Sequence, residues 1–150
     1  MHNGGGLNEE GRRVNDLKGL SILVVDDYQA MRRLVRKLLI QIGFSNIELV
    51  ADGATALAKL HERSYSVIIS DLKMEPMSGL GLLRVVRREE RLRAIPFIVV
   101  TAANDRDDVI AAKKAGANDY IVKPFSVDVL RRKLAGVLNV PGAPPWLAAE

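Results

Sequence analysis

LSILVVDD (Leu20–Asp27) is the stretch on which the reading of this chain turns. Leu20–Val25 is apolar apart from one serine and rich in branched side chains, and two carboxylates follow it at once. A short run of this kind suits a strand buried on both faces, the pattern of a parallel sheet. Four similar runs lie downstream: Ile47–Val50, Val67–Ser70, Phe97–Thr101 and Tyr120–Val122. Each is followed by a stretch with helical periodicity. In the first, Met31, Leu34, Val35, Leu38, Leu39 and Ile42 recur with i, i+3, i+4, i+7 spacing, and Gly43 stands where a helix stop is expected. In the second, Ala54, Leu57, Ala58 and Leu60 follow Asp52, a good cap. The third carries Leu80, Leu82, Leu83, Val85 and Val86. The fourth, about Arg106–Ala115, has Val109 and Ile110 but is otherwise rich in Ala and Lys, which predicts thin packing. In the fifth, Ser126 caps a helix bearing Val127, Leu130, Leu134, Val137 and Leu138.

The alternation defines an α/β chain of five βα units. Right-handed crossovers place helices on both faces of a five-stranded parallel sheet. The flavodoxin-like strand order 2-1-3-4-5 is the common way to arrange five such units and is the order expected here. In sheets of this kind ligands bind beyond the carboxyl ends of the strands.

The remainder of the 150 residues bounds the function. With 48% hydrophobic and 27% charged residues, the composition is that of an ordinary globular domain. A net charge of +4 is a small excess, and most arginines fall on ordinary helical stretches, so no dedicated nucleic-acid role is expected. There is no cysteine, which excludes disulfides, thiolate metal sites and cysteine catalysis. No apolar run approaches the roughly 20 residues of a membrane span. The polar start MHNGGGLNEEGRR does not resemble a signal peptide, and a cytoplasmic location is expected. Residues 1–18 read as a flexible arm, 19–139 as the domain, and 140–150 as a Pro-rich tail carrying the only tryptophan, Trp146.

Asp26 and Asp27 follow the first strand, Asp71 follows the third, Thr101 ends the fourth, and Lys123 follows the fifth. In the expected order all five converge on one rim. Singly, each has a plain reading: a solvated turn, a β-former at a strand end, a surface lysine. Together they make a chemical site. Crowded carboxylates repel and raise one another's pKa unless a cation sits among them. A hard divalent ion with oxygen ligands relieves this, and Mg²⁺ suits few carboxylates, several waters and a phosphate oxygen. A phosphoryl group needs its oxygens neutralised. Lys123 and Thr101 offer a cation and a donor, and an aspartate can serve as nucleophile. His2 and His61 lie in the arm and in a helix, so histidine base chemistry is not expected.

ILVVDD (Ile22–Asp27), SDLKMEPMSG (Ser70–Gly79), VVTA (Val99–Ala102) and AGANDYIVKPF (Ala115–Phe125), in this order and spacing, resemble the receiver, or response-regulator, family of two-component signalling. The resemblance runs from about Gly19 to Asn139. It implies that Asp71 accepts phosphate from a phosphohistidine on a histidine kinase or phosphotransfer protein. It implies Mg²⁺ held by Asp26, Asp27, Asp71 and the backbone carbonyl of Lys73. Lys123 would contact the phosphoryl group through a lysine set by a cis bond to Pro124. Thr101 would swing inward to it, and Tyr120 would change rotamer with it, although Tyr120 also reads as a half-buried core aromatic. Met74 and Met77 read as packing under the loop, and Gly79 as a turn residue needing permissive dihedrals. The expected result is a population shift in which the thinly packed fourth helix moves. The signal would pass to a protein target, in a phosphorelay, chemotaxis or stress-signalling branch, and autodephosphorylation would end it.

The chain departs from the family pattern at Glu75, where proline is frequent, and Lys73 and Ala103 occupy positions that tune phosphate lifetime. With about 20 residues before the domain and about 10 after it, a stand-alone receiver acting on a protein target is expected. Three alternatives stay open at this level. The chain is a receiver from a longer regulator, for instance a DNA-binding one. It is an aspartate-nucleophile phosphohydrolase, although Lys73 stands where such enzymes carry a second acid. Or it is a flavin binder, although two aspartates after the first strand would repel phosphate. Arg32, Arg33, Arg36 and Lys37 form either a contact for an acidic partner or a solvated face, and Trp146 is either a docking residue or part of a disordered end.

Overall fold

A computed structural model describes residues 16–138 of the chain. Most of the expected arm and the whole expected tail lie outside the described residues. A turn of 3₁₀ helix, Asp16–Gly19, comes first, and its Leu17 is 6% exposed, so packed structure begins within residues assigned to the arm.

The five βα units follow: β1 (Ser21–Val25), α1 (Gln29–Ile42), β2 (Asn46–Val50), α2 (Gly53–Glu62), β3 (Val67–Asp71), α3 (Gly79–Arg88), β4 (Phe97–Ala102), α4 (Arg106–Lys114), β5 (Asp119–Lys123) and α5 (Val127–Val137). All neighbouring strands are parallel, and the sheet order is β2-β1-β3-β4-β5, as expected. Side chains alternate across a strand, so each central strand feeds two cores. Ile22, Val24, Ile69, Ile98 and Val100 pack with Val35 and Leu39 of α1 and with Leu130 and Leu134 of α5. Leu23, Val25, Ile68, Phe97 and Val99 pack on the other face with Leu60, Leu82, Leu83 and Val86 of α2 and α3. This double burial is why β1, β3 and β4 carry no polar alternation.

The same rule fails at the sheet edges. β2 and β5 were expected to be buried on both faces, yet most of their residues are half-buried or exposed, because each has one neighbouring strand and incomplete helix cover. On α1 the periodic set is only partly inward: Val35 and Leu39 are buried, while Leu34 is 43% exposed. A stripe of six apolar residues is wider than the surface the helix buries, which takes in only two of them fully. On α2 the buried face is Gly53, Ala56 and Leu60, and Ala54 and Ala58 point outward. Alanine is too weakly apolar to fix a helix's rotation by itself. The expected caps are made: Asp52 accepts from the Thr55 amide at 2.7 Å, and Ser126 from the Val129 amide at 3.2 Å. α4 is the loosely held element, with Ala112 its only buried residue and Ile110 46% exposed.

One arginine ties the lower half of the domain together. Arg87, at the end of α3, donates to the carbonyls of Gly116, Arg93 and Ile95 and to Asn118 Oδ1, all between 2.8 and 3.0 Å. Asn118 Oδ1 also accepts from the Phe97 amide at 2.7 Å. Arg87 thereby anchors the loops entering β4 and β5.

Candidate functional site

The register brings the strand ends level. Val25 lies opposite both Val50 and Ser70, Asp71 opposite Val100, and Ala102 opposite Lys123. Asp26 continues the ladder by donating its amide to the Val50 carbonyl at 3.1 Å. Its Oδ1 accepts from the Tyr28 amide at 2.9 Å, and Arg32 donates to its carbonyl oxygen at 2.7 Å. Asp71 is the last residue of β3.

Asp26, Asp27 and Asp71 each present an oxygen within 4.8 Å of the others. Asp26 is 4% and Asp71 6% exposed, whereas Asp27 is open to solvent. Among the described residues, the cation paired with a carboxylate of this group is Lys123, whose Nζ lies 3.2 Å from Asp71 Oδ1. One ammonium does not balance three carboxylates. Burial, followed by the charges of Asp71 and Asp27, raises the Asp26 pKa despite the Tyr28 amide and Lys123. Burial and the charge of Asp27 raise that of Asp71, although Lys123 opposes them. The donor set is all oxygen, closely spaced and short of positive charge, which fits a hard divalent cation.

The approach of α3 closes the site from below. Gly79 donates its amide to the Leu72 carbonyl at 3.0 Å, and a Cβ at Gly79 would lie 2.0 Å from the Asp71 carbonyl oxygen. Gly79 was expected to supply permissive dihedrals. Its φ is ordinary, and what it supplies is room for two backbones to touch. Met74 is buried in the core and Met77 packs on Gly53, so both act as packing under the loop, as expected. The Lys123–Pro124 bond is cis, and so is Glu75–Pro76, which no motif announced.

Three residues stand in arrangements the sequence does not display. Thr101 is 1% exposed, and its hydroxyl donates to Asp105 Oδ2 and the Ala102 carbonyl, both at 3.3 Å, with no bond to the acid group. The Lys73 side chain turns away to α4, with Nζ 3.1 Å from Asp108 Oδ2. The half-buried Tyr120 ring is flanked by the ammonium groups of Lys113 and Lys133, each 5.0 Å from its centre. Asp105 escaped the sequence reading, and its one signal is its place just before α4, where a capping residue belongs. His61 lies apart from the site, 2.8 Å from Glu89 at the end of α3.

A parallel sheet in this order, with acids just after β1 and at the end of β3 and a lysine at the end of β5, defines a class of α/β signalling domains. The chain matches the response regulator receiver domain over residues 22–135 and belongs to that family. It is 44% identical over 120 residues to the chemotaxis protein CheY of Pseudomonas aeruginosa, covering 80% of this chain and 97% of that one. The chemotaxis response regulator CheY4 of Vibrio cholerae has a similar fold, with a TM-score of 0.73 at 33% identity, covering 79% of this chain and 98% of the other. So does the receiver domain of the sensor histidine kinase PA1611 from P. aeruginosa, with a TM-score of 0.69 at 31% identity over 75% and 92% of the two chains. That structure has a magnesium ion coordinated in its active-site cleft. Members of this family are signalling proteins rather than metabolic enzymes.

Proposed function

We propose that the chain is a response regulator that takes a phosphoryl group onto Asp71 from a histidine kinase or phosphotransfer protein, in a Mg²⁺-dependent reaction, and signals through a protein target. The observation that carries this reading is the Asp26–Asp27–Asp71 group at the strand ends with Lys123 bonded to Asp71. The 97% coverage of the P. aeruginosa chemotaxis protein supports a stand-alone mode of action. Among the described residues no helix is long and apolar enough to cross a membrane. Neither nucleic acid nor membrane is a proposed partner.

Asp26, Asp27, Asp71 and the Lys73 carbonyl would hold the ion. When bound, it neutralises the acids and the incoming phosphoryl oxygens. An Asp71 oxygen attacks phosphorus in line, the P–N bond of a phosphohistidine protonated on its other ring nitrogen breaks, and neutral imidazole leaves. Lys123 gives up its bond to the carboxylate and binds a phosphoryl oxygen instead. Thr101 and Tyr120 then favour the form in which the threonine hydroxyl faces the phosphoryl group, which shifts the population of α4 positions. Attack of water on phosphorus breaks its bond to the Asp71 oxygen, releases inorganic phosphate and restores the carboxylate, so the protein modifies only itself.

Radiolabelled acetyl phosphate tests the reading. Wild-type protein takes up label with Mg²⁺ and not with a chelator, and Asp71→Asn takes up none. An Asp71→Asn protein labelled as strongly as wild type would sink it.

Stability gives a second check. The raised pKa values of Asp26 and Asp71 mean that the folded state holds their protons more tightly than the unfolded chain does. Their neutral forms cost nothing below the unfolded value of about 3.9, and the penalty grows as pH rises through the folded values. Mg²⁺ offsets that penalty at neutral pH by about 2.7 kcal/mol at a hundredfold excess over its Kd. Calorimetry should show Tm rising with Mg²⁺ near neutral pH and the gain fading toward pH ~4 as protons displace the ion. A Tm indifferent to Mg²⁺ at neutral pH contradicts the proposed metal site.

A further inference from the structure

We infer that Asp105 is a positioning residue that holds the Thr101 hydroxyl away from Asp71 and so sets the threshold for phosphorylation. The inference rests on the proposed role of Asp71. Thr101 is buried at the end of β4, and its single hydroxyl proton has two acceptors, Asp105 Oδ2 and the Ala102 carbonyl. The carboxylate is the stronger of the two because it is charged. Both distances are 3.3 Å, beyond the usual 2.5–3.0 Å of such bonds. The hold is therefore weak, and a better acceptor displaces it.

Asp105 makes no other side-chain bond and no capping bond at the start of α4, so its carboxylate is not held by the helix amides. A cavity of about 310 Å³, lined by Thr101, Asp105, Val109, Lys113 and Tyr120, lies between α4 and the strand ends. It gives Asp105 and the first turn of α4 room to withdraw when Thr101 turns. A second acid of the same turn, Asp108, holds Lys73 of the loop that follows Asp71. That pair is exposed and contributes little, so the threshold rests on Asp105. A phosphoryl group on Asp71 must take the Thr101 hydroxyl from a carboxylate, and the exchange lowers its apparent affinity by the value of one hydrogen bond.

Beryllofluoride, a phosphoryl mimic, reads this directly when titrated into the full chain with Mg²⁺ by calorimetry. Loss of one net hydrogen bond, about 0.5–1.5 kcal/mol, converts to a Kd roughly two- to tenfold tighter in Asp105→Ala. Asp107→Ala removes a charge from the same helical turn without touching Thr101 and should change Kd by less than about twofold. In a Thr101→Ala background the Asp105→Ala gain should vanish, because the effect passes through the threonine. An equal gain in Asp107→Ala, or a gain that survives in Thr101→Ala, overturns the inference and leaves general electrostatics. Asp105→Ala binding no tighter than wild type also overturns it. Wild-type protein that binds no beryllofluoride refutes the role of Asp71 itself, a different failure.

Discussion

Gly79→Ala is expected to destabilise the protein by about 3 kcal/mol or more, the upper end of overpacking costs, and to disable the acid group with it. The added methyl would sit 2.0 Å from the Asp71 carbonyl oxygen and 2.9 Å from the Leu72 Cα. Both are backbone atoms, with no rotamer to change. Either α3 retreats, lifting Leu82, Leu83 and Val86 from the core, or the end of β3 shifts and moves Asp71. Urea unfolding measures the first loss and Mg²⁺ titration the second. Gly136→Ala is the matched control: nothing lies within 4 Å of its would-be Cβ in α5, so helix propensity alone should stabilise it by about 0.5–1 kcal/mol. If both variants stayed within about 0.5 kcal/mol of wild type, the close approach of β3 and α3 would not be what the glycine serves.

Lys123→Ala is expected to have opposite effects on metal and on phosphate. The ammonium is the cation that bonds Asp71, and it competes with any ion for the same oxygens. Its removal leaves three crowded carboxylates unbalanced. The metal-free protein loses about 1–2 kcal/mol, less than for a fully buried pair because the lysine side chain is 30% exposed. Mg²⁺ should bind about tenfold more tightly, equivalent to a gain of about 1.4 kcal/mol. Phosphoryl transfer should slow about a hundredfold or more, because a positive donor for the developing charge is gone. Calorimetric Mg²⁺ titration and the rate of labelling by acetyl phosphate measure the two. Weaker Mg²⁺ binding together with unchanged labelling would contradict the role given to Lys123.

The central fold was legible because β1, β3 and β4 are apolar on both faces, and only a covered parallel sheet asks for that. The edges were harder. β2 and β5 carry the same kind of run but have one partner strand, and no local pattern announces an edge. Leu34 looks like a core residue by spacing, yet α1 is rotated by its contacts with α5 and the sheet, which are not local. The positions of Asp26, Asp27, Asp71, Thr101 and Lys123 could be read because strand ends are where such sheets place function. What each side chain touches could not. Lys73 reaches Asp108 on α4, far along the chain, and Thr101 reaches Asp105 across the turn between β4 and α4. Gly79 shows the same gap: its identity is visible in the chain, but the backbone it makes room for comes from another element.

The most direct test is to find which atom carries the phosphoryl group. After phosphorylation with Mg²⁺, borohydride reduces an acyl phosphate to an alcohol and so converts a phosphorylated aspartate to homoserine, which peptide mass spectrometry locates. Homoserine at position 71, absent when Mg²⁺ is chelated, is the predicted result. Homoserine at position 26 or 27 instead, or none in a protein that has taken up label, would contradict the assignment of Asp71.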